Sequence, residues 1–134
     1  MEASLRDFVW QRASNRCEYC RLHQRHTPVF TFHIEHIRAK QHGGTDDSFN
    51  LALACNRCNQ AKGPNLSSFD PVTGQMVRLF NPREDIWAAH FAFQGATIVG
   101  RTPEGRATVD LLKMNEPKRA RTRATLIARG QFEL

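Results

Sequence analysis

Two Cys-x-x-Cys pairs, Cys17-Glu18-Tyr19-Cys20 and Cys55-Asn56-Arg57-Cys58, constrain what this chain can fold into more than any other feature. Each turn is short enough for both thiolates to meet one ion, and two such turns complete a tetrahedron with Zn–S distances of about 2.3 Å. Two disulfides or a redox pair are the alternatives. Disulfides need an oxidising compartment, yet Met1-Glu2-Ala3-Ser4-Leu5-Arg6-Asp7 shows no basic start followed by an apolar signal core, so a reducing cytoplasm is expected. A redox motif is expected as one Cys-x-x-Cys opening a helix after a strand; here two pairs occur, each followed by basic or polar residues. Structural zinc held by Cys17, Cys20, Cys55 and Cys58 is the preferred reading.

With 134 residues the chain makes one domain, or a core with an extension. Its 40% hydrophobic residues suffice for a core, and no apolar run approaches the roughly 18 residues that span a membrane. Lys and Arg number 19 against 13 Asp and Glu, a net charge of +6 that favours a polyanionic partner, nucleic acid first.

Leu5, Phe8, Val9 and Arg12 lie at helical spacing and predict a helix over 3–13 whose apolar face covers the zinc ribbon. Pro28 to Phe32 reads as a strand entering His33 to Ile37. Residues 41–48, with Gly43-Gly44, form a loop; Phe49, Leu51 and Leu53 alternate as a second strand into Cys55. Residues 58–63 fit a short helix stopped by Gly63 and Pro64. Residues 1–68 are expected to be the core and 69–134 a carboxy-terminal extension packed on it. The extension should hold a hairpin over 69–77, a helix starting at Asn81-Pro82-Arg83-Glu84-Asp85 and carrying Ile86, Trp87, His90 and Phe91, a strand over 96–99, and a helix capped near Thr102. A final helix over 113–129 carries Lys113, Lys118, Arg119, Arg121, Arg123 and Arg129 against Glu116 alone. It could lie along a nucleic-acid backbone or be a solvated face.

The run from Cys17 to Lys62 resembles the HNH endonuclease family. The residues that carry the likeness are Cys17 and Cys20, Glu35-His36-Ile37, Gly43-Gly44, Asn50-Leu51, Cys55 and Cys58, Asn59 and Lys62, in the family's order. Asn81-Pro82-Arg83 through Trp87 and His90-Phe91 to Gly105-Arg106-Ala107-Thr108 resembles a tail found on many small bacterial HNH proteins. The resemblance implies an α+β fold: a ββα-metal finger on a four-cysteine zinc scaffold, with flanking helices and a hairpin and helices after it.

Phosphodiester hydrolysis requires an activated water, in-line attack and stabilisation of charge on the phosphorane and the leaving 3′ oxygen. A neutral histidine can take the water's proton, since the ordinary histidine pKa is about 6.5, and a divalent cation can stabilise the charge. His36 is the candidate general base. Glu35 and Asn59, both oxygen ligands, would hold magnesium or manganese and leave positions open for phosphate and water. The family commonly has Asp where Glu35 stands, one methylene shorter. On strand alternation His33 and Glu35 share a face, so His33 is either a third ligand or a hydrogen-bonded strand histidine. Asn50 either bonds backbone near His36 to fix the imidazole or caps a turn. Lys62, Arg57, Arg38 and Lys40 are candidate DNA phosphate contacts. The expected function is a metal-dependent DNA endonuclease. The alternatives are a zinc-ribbon nucleic-acid-binding module that does not cleave, and an interaction domain whose basic surface serves a protein or RNA partner.

Overall fold

The first helix, α1 (Ala3–Arg12), ends where Ser14 and Asn15 take left-handed backbone angles of +53° and +60°. The computed structural model, which describes all 134 residues, turns the chain there into the first cysteine pair. With 10 residues α1 is just under three turns long and buries only Val9 completely. Phe8 stays 49% exposed, so the expected apolar face is narrower than its spacing suggests. The helix is tied down instead by Trp10 stacked on Phe32, with ring centroids 6.3 Å apart, and by Arg12 donating to Leu51 O at 2.7 Å.

Two antiparallel strands follow, β1 (His33–His36) and β2 (Leu51–Ala54), paired His33 with Ala54 through His36 with Leu51. All four residues of β2 are buried, so the strand is covered on both faces rather than alternating. Phe49 lies outside it in a tight turn and is 63% exposed. The strand expected from Pro28 does not form. Pairing must stop at Ala54 because Cys55 turns into the second cysteine pair, and Val29, 83% exposed, has no strand to meet. The Gln24 side chain satisfies this irregular segment, accepting from Phe32 N at 2.7 Å and donating to Phe30 O at 2.9 Å.

Helix α2 (Asn56–Lys62) starts two residues earlier than expected because the Cys55 sulfur caps it, accepting from Cys58 N at 3.4 Å. The first cysteine pair is bound to β2 through Glu18. Its backbone N–H donates to Leu53 O, its carboxylate accepts from Leu53 N, both at 2.9 Å, and Arg83 forms an ion pair with it while donating to Leu51 O. These elements make one compact unit, Met1–Leu66 with Asn81–Arg83.

The second unit comprises Ser67–Phe80 and Glu84–Leu134. It opens with the expected hairpin, β3 (Ser67–Phe69) against β4 (Met76–Arg78). The helix expected after Asn81 is a single turn, α3 (Trp87–His90), and Phe91 instead begins β5 (Phe91–Gln94), antiparallel to β6 (Thr97–Gly100). Gly95, at φ +60°, makes a two-residue connection possible, and the alternating Phe91 and Phe93 then pack on Trp87 at 5.1 and 5.2 Å. The cap of α4 (Pro103–Leu111) is Thr102, whose hydroxyl accepts from Gly105 N at 2.9 Å. The last helix is α5 (Pro117–Ala128). Two of its cations are engaged internally: buried Arg123 donates to Ala96 O, Met114 O and Asn115 Oδ1, and Arg119 to Leu112 O and Lys113 O just past α4. Lys118, Arg121 and Arg129 remain exposed.

Asp70, fully buried, closes the β3–β4 turn by accepting from Val72 N and Thr73 Oγ1 at 3.0 Å and from Arg106 at 2.9 and 2.7 Å. The bond to Arg106 chiefly holds this carboxyl well below its ordinary value of 3.8. A depressed pKa contributes stability that is present above 3.8 and disappears as pH falls through the folded value. Asp70→Asn should therefore lower the melting temperature at neutral pH, and the gap to the native protein should close on acidification below 3.8 in a thermal-melt series.

Candidate nuclease site

The four cysteines converge. Their sulfurs lie within 4.8 Å of one another, all four residues are buried, and Cys20 Sγ is 3.7 Å from Cys55 Sγ. A tetrahedral ion with sulfur bonds of about 2.3 Å has sulfur–sulfur edges of about 3.8 Å, so the cluster is shaped for one metal. Backbone N–H groups of Cys20 and Cys58 point at Cys17 and Cys55 sulfurs at 3.5 and 3.4 Å, a bond that favours thiolate. Burial first, and neighbouring cysteines after it, push the Cys17 and Cys58 thiols well up, a cost that a bound cation would offset.

Glu35 points inward from β1. It is buried, accepts from Tyr19 Oη at 2.9 Å and lies 3.0 Å from Lys62 Nζ. Burial raises its pKa against the opposing pull of Lys62 and Tyr19, and its other oxygen, Oε2, is buried with no hydrogen-bond partner. Lys62 was expected to meet a phosphate. It is instead only 2% exposed, its ammonium bonded to Ile37 O and paired with Glu35, because the last turn of α2 folds it under β1. Asn59 stands one turn earlier on α2, on the face that brings Lys62 to Glu35.

His36 turns the other way and is partly exposed. Its Nε2 lies 2.7 Å from Asp46 Oδ1, which also has Lys40 Nζ at 3.5 Å. The Asn50 side chain accepts from Arg38 N at 2.9 Å and donates to Arg38 O and Thr45 O at 3.0 and 2.8 Å, while its backbone O accepts from Ile37 N. One amide thus holds both the chain leaving His36 and the loop residue before Asp46. Gly44 permits this approach: a Cβ there would stand 1.7 Å from Arg38 O.

His33 is exposed and its Nε2 lies 3.2 Å from Asn56 Oδ1. Arg38 and Lys40 are exposed, though Arg38 Nε donates to His42 O at 2.6 Å, and Arg57 is exposed on α2. Asp46 and Tyr19 escaped sequence reasoning. The acidic pair Asp46-Asp47 after the glycines was the only signal for the former, and the lone aromatic inside a cysteine pair the only one for the latter.

Two short antiparallel strands, a helix and a buried four-cysteine cluster define a ββα-type metal finger in a mixed α+β fold, with a cluster typical of an HNH zinc site. Residues 17–65 match the sequence model of the HNH endonuclease family, a span that takes in all four cysteines, β1, β2 and α2; the chain carries an HNH endonuclease domain there. Neither a curated protein nor a solved structure gives a significant match. No helix is long and apolar enough to cross a membrane.

Proposed function

We propose that the chain is a metal-dependent DNA endonuclease in which Cys17, Cys20, Cys55 and Cys58 hold structural zinc and His36 is the general base. The observation that carries this reading is the pairing, on adjacent residues of β1, of a partly exposed imidazole with a buried carboxylate whose Oε2 has no hydrogen-bond partner. An unpartnered, negatively charged, hard oxygen is what a divalent cation accepts, so Glu35 fits magnesium or manganese, with the Asn59 amide oxygen as the second ligand. Such a cation would stabilise charge on the phosphorane and the leaving 3′ oxygen. His36 takes the proton of the attacking water as its oxygen bonds to phosphorus and the bond to the 3′ oxygen breaks. Asn50 holds the backbone beside His36, and Arg38, Lys40 and Arg57 supply phosphate contacts.

A second reading, nucleic-acid binding without cleavage, has one observation in its favour: Lys62 already places a positive charge beside Glu35. Plasmid nicking separates the two. The zinc-loaded protein with magnesium or manganese should nick supercoiled DNA, and His36→Ala should lower the rate at least about a hundredfold with zinc content unchanged. Salt-sensitive DNA binding with no nicking under either metal supports the second reading; full activity in His36→Ala overturns the base assignment.

A further inference from the structure

Asp46 is 54% exposed on its side chain, yet its position is built. The residue before it is held by Asn50 through Thr45 O at 2.8 Å, and Asp47 O accepts from Asn50 N at 2.8 Å. Gly44 N donates to Ala39 O at 3.0 Å, closing the loop on the segment that leaves β1. One loop between the strands therefore delivers a carboxylate to the imidazole ten residues earlier, at 2.7 Å.

The chemistry of that contact decides a tautomer. An ionised carboxylate only accepts hydrogen bonds, so the nitrogen facing it must carry the proton. In a neutral imidazole the other nitrogen then holds the lone pair. Nε2 faces Asp46, and Nδ1 has no protein partner. We propose that Asp46 is the positioning residue that fixes His36 as the Nε2–H tautomer and leaves Nδ1 as the atom that receives the water's proton. This rests on His36 being the base. Asp46 touches neither water nor phosphate in this role. It acts through the orientation of the ring and the choice of nitrogen, as the carboxylate partner of a catalytic histidine does in other hydrolases.

The test reads the tautomer without DNA or a catalytic cation. Nitrogen-15 spectra of the zinc-loaded full chain, with His36 assigned by loss of its signals in His36→Gln, should show protonated Nε2 and unprotonated Nδ1 at a pH where the ring is neutral. Asp46→Ala should lose that bias, whereas Asp46→Asn, whose amide oxygen still accepts, should keep it. In plasmid nicking Asp46→Ala should lower kcat about tenfold, part of the roughly 10²–10⁴ a positioned base contributes, with KM little changed. Asp46→Asn should restore most of the rate. A role in DNA contact alone would move KM instead and overturns the proposal. So does a native His36 protonated on Nδ1, or a tautomer indifferent to Asp46→Ala. If the tautomer depends on Asp46 while His36→Ala still nicks, the base reading has failed; if His36→Ala is inactive and the tautomer ignores Asp46, only the Asp46 assignment has.

Discussion

Stripping the metal from the four-cysteine cluster, or replacing Cys58 with serine, is expected to unfold the unit Met1–Leu66 outright. A unit this small has few large side chains to bury: Val9, Tyr19, Phe32, Ile37, Leu51 and Leu53 supply most of its apolar core. Below about 70–80 residues such a core rarely contributes more than about 3–5 kcal/mol, and structural zinc contributes about 10–16 kcal/mol in small metal-built folds. Both cysteine pairs also organise the chain around them. Cys55 caps α2 and ends β2, and the Cys17–Cys20 turn carries the Glu18 contacts to Leu53. The measurement is far-ultraviolet circular dichroism and Trp10 fluorescence, in a Trp87→Phe background, during titration with a strong chelator, with released zinc quantified. Signal loss should track zinc release one to one, and acidification should promote both, since ligand thiolates must be protonated to leave. A folded, chelator-treated protein would show that the cysteines are not the scaffold.

The second large effect concerns the charge under the strands. Lys62→Met should destabilise the protein by about 3–5 kcal/mol, because it leaves the Glu35 carboxylate buried without a counter-charge. For a unit this size that is a drop in melting temperature of more than about 10 °C. Glu35→Gln combined with Lys62→Met should recover most of the loss, since neither charge then remains. Manganese or magnesium should raise the melting temperature of Lys62→Met more than that of the native protein, the cation taking the ammonium's place beside Glu35. Equal stabilisation of both by the metal would separate Lys62 from the cation site. A melting temperature within a degree or two of native in Lys62→Met would mean that Glu35 is neutral in the folded state.

Much of the HNH domain could be read from residue order because its parts are chemically demanding. Cys-x-x-Cys pairs, a Gly-Gly loop and an Asn before a buried strand tolerate few alternative uses. The capped helix after Thr102 and the hairpin before Met76 were legible for the same reason: each carries its own local turn or cap chemistry. Phe91 was not. Its spacing from Trp87 suits a helix as well as a strand, and the pairing with Gly100 that makes it a strand lies outside any local window. Nor could the basic helix be judged from its charge count, since Arg119 and Arg123 bond carbonyls of residues 6 to 27 positions away.

The same division runs through the site. Residue type and spacing were enough to bring out the four clustered cysteines and to single out His36 and Asn50 as candidates, because thiolate, imidazole and amide chemistry is carried by the side chains themselves. Whether a charged group faces water or a counter-charge is settled by its neighbours in space, since the cost of desolvation depends on what surrounds the group after folding. Folding therefore placed Lys62 beneath β1 as the partner of Glu35, and brought Asp46 out of its loop to His36.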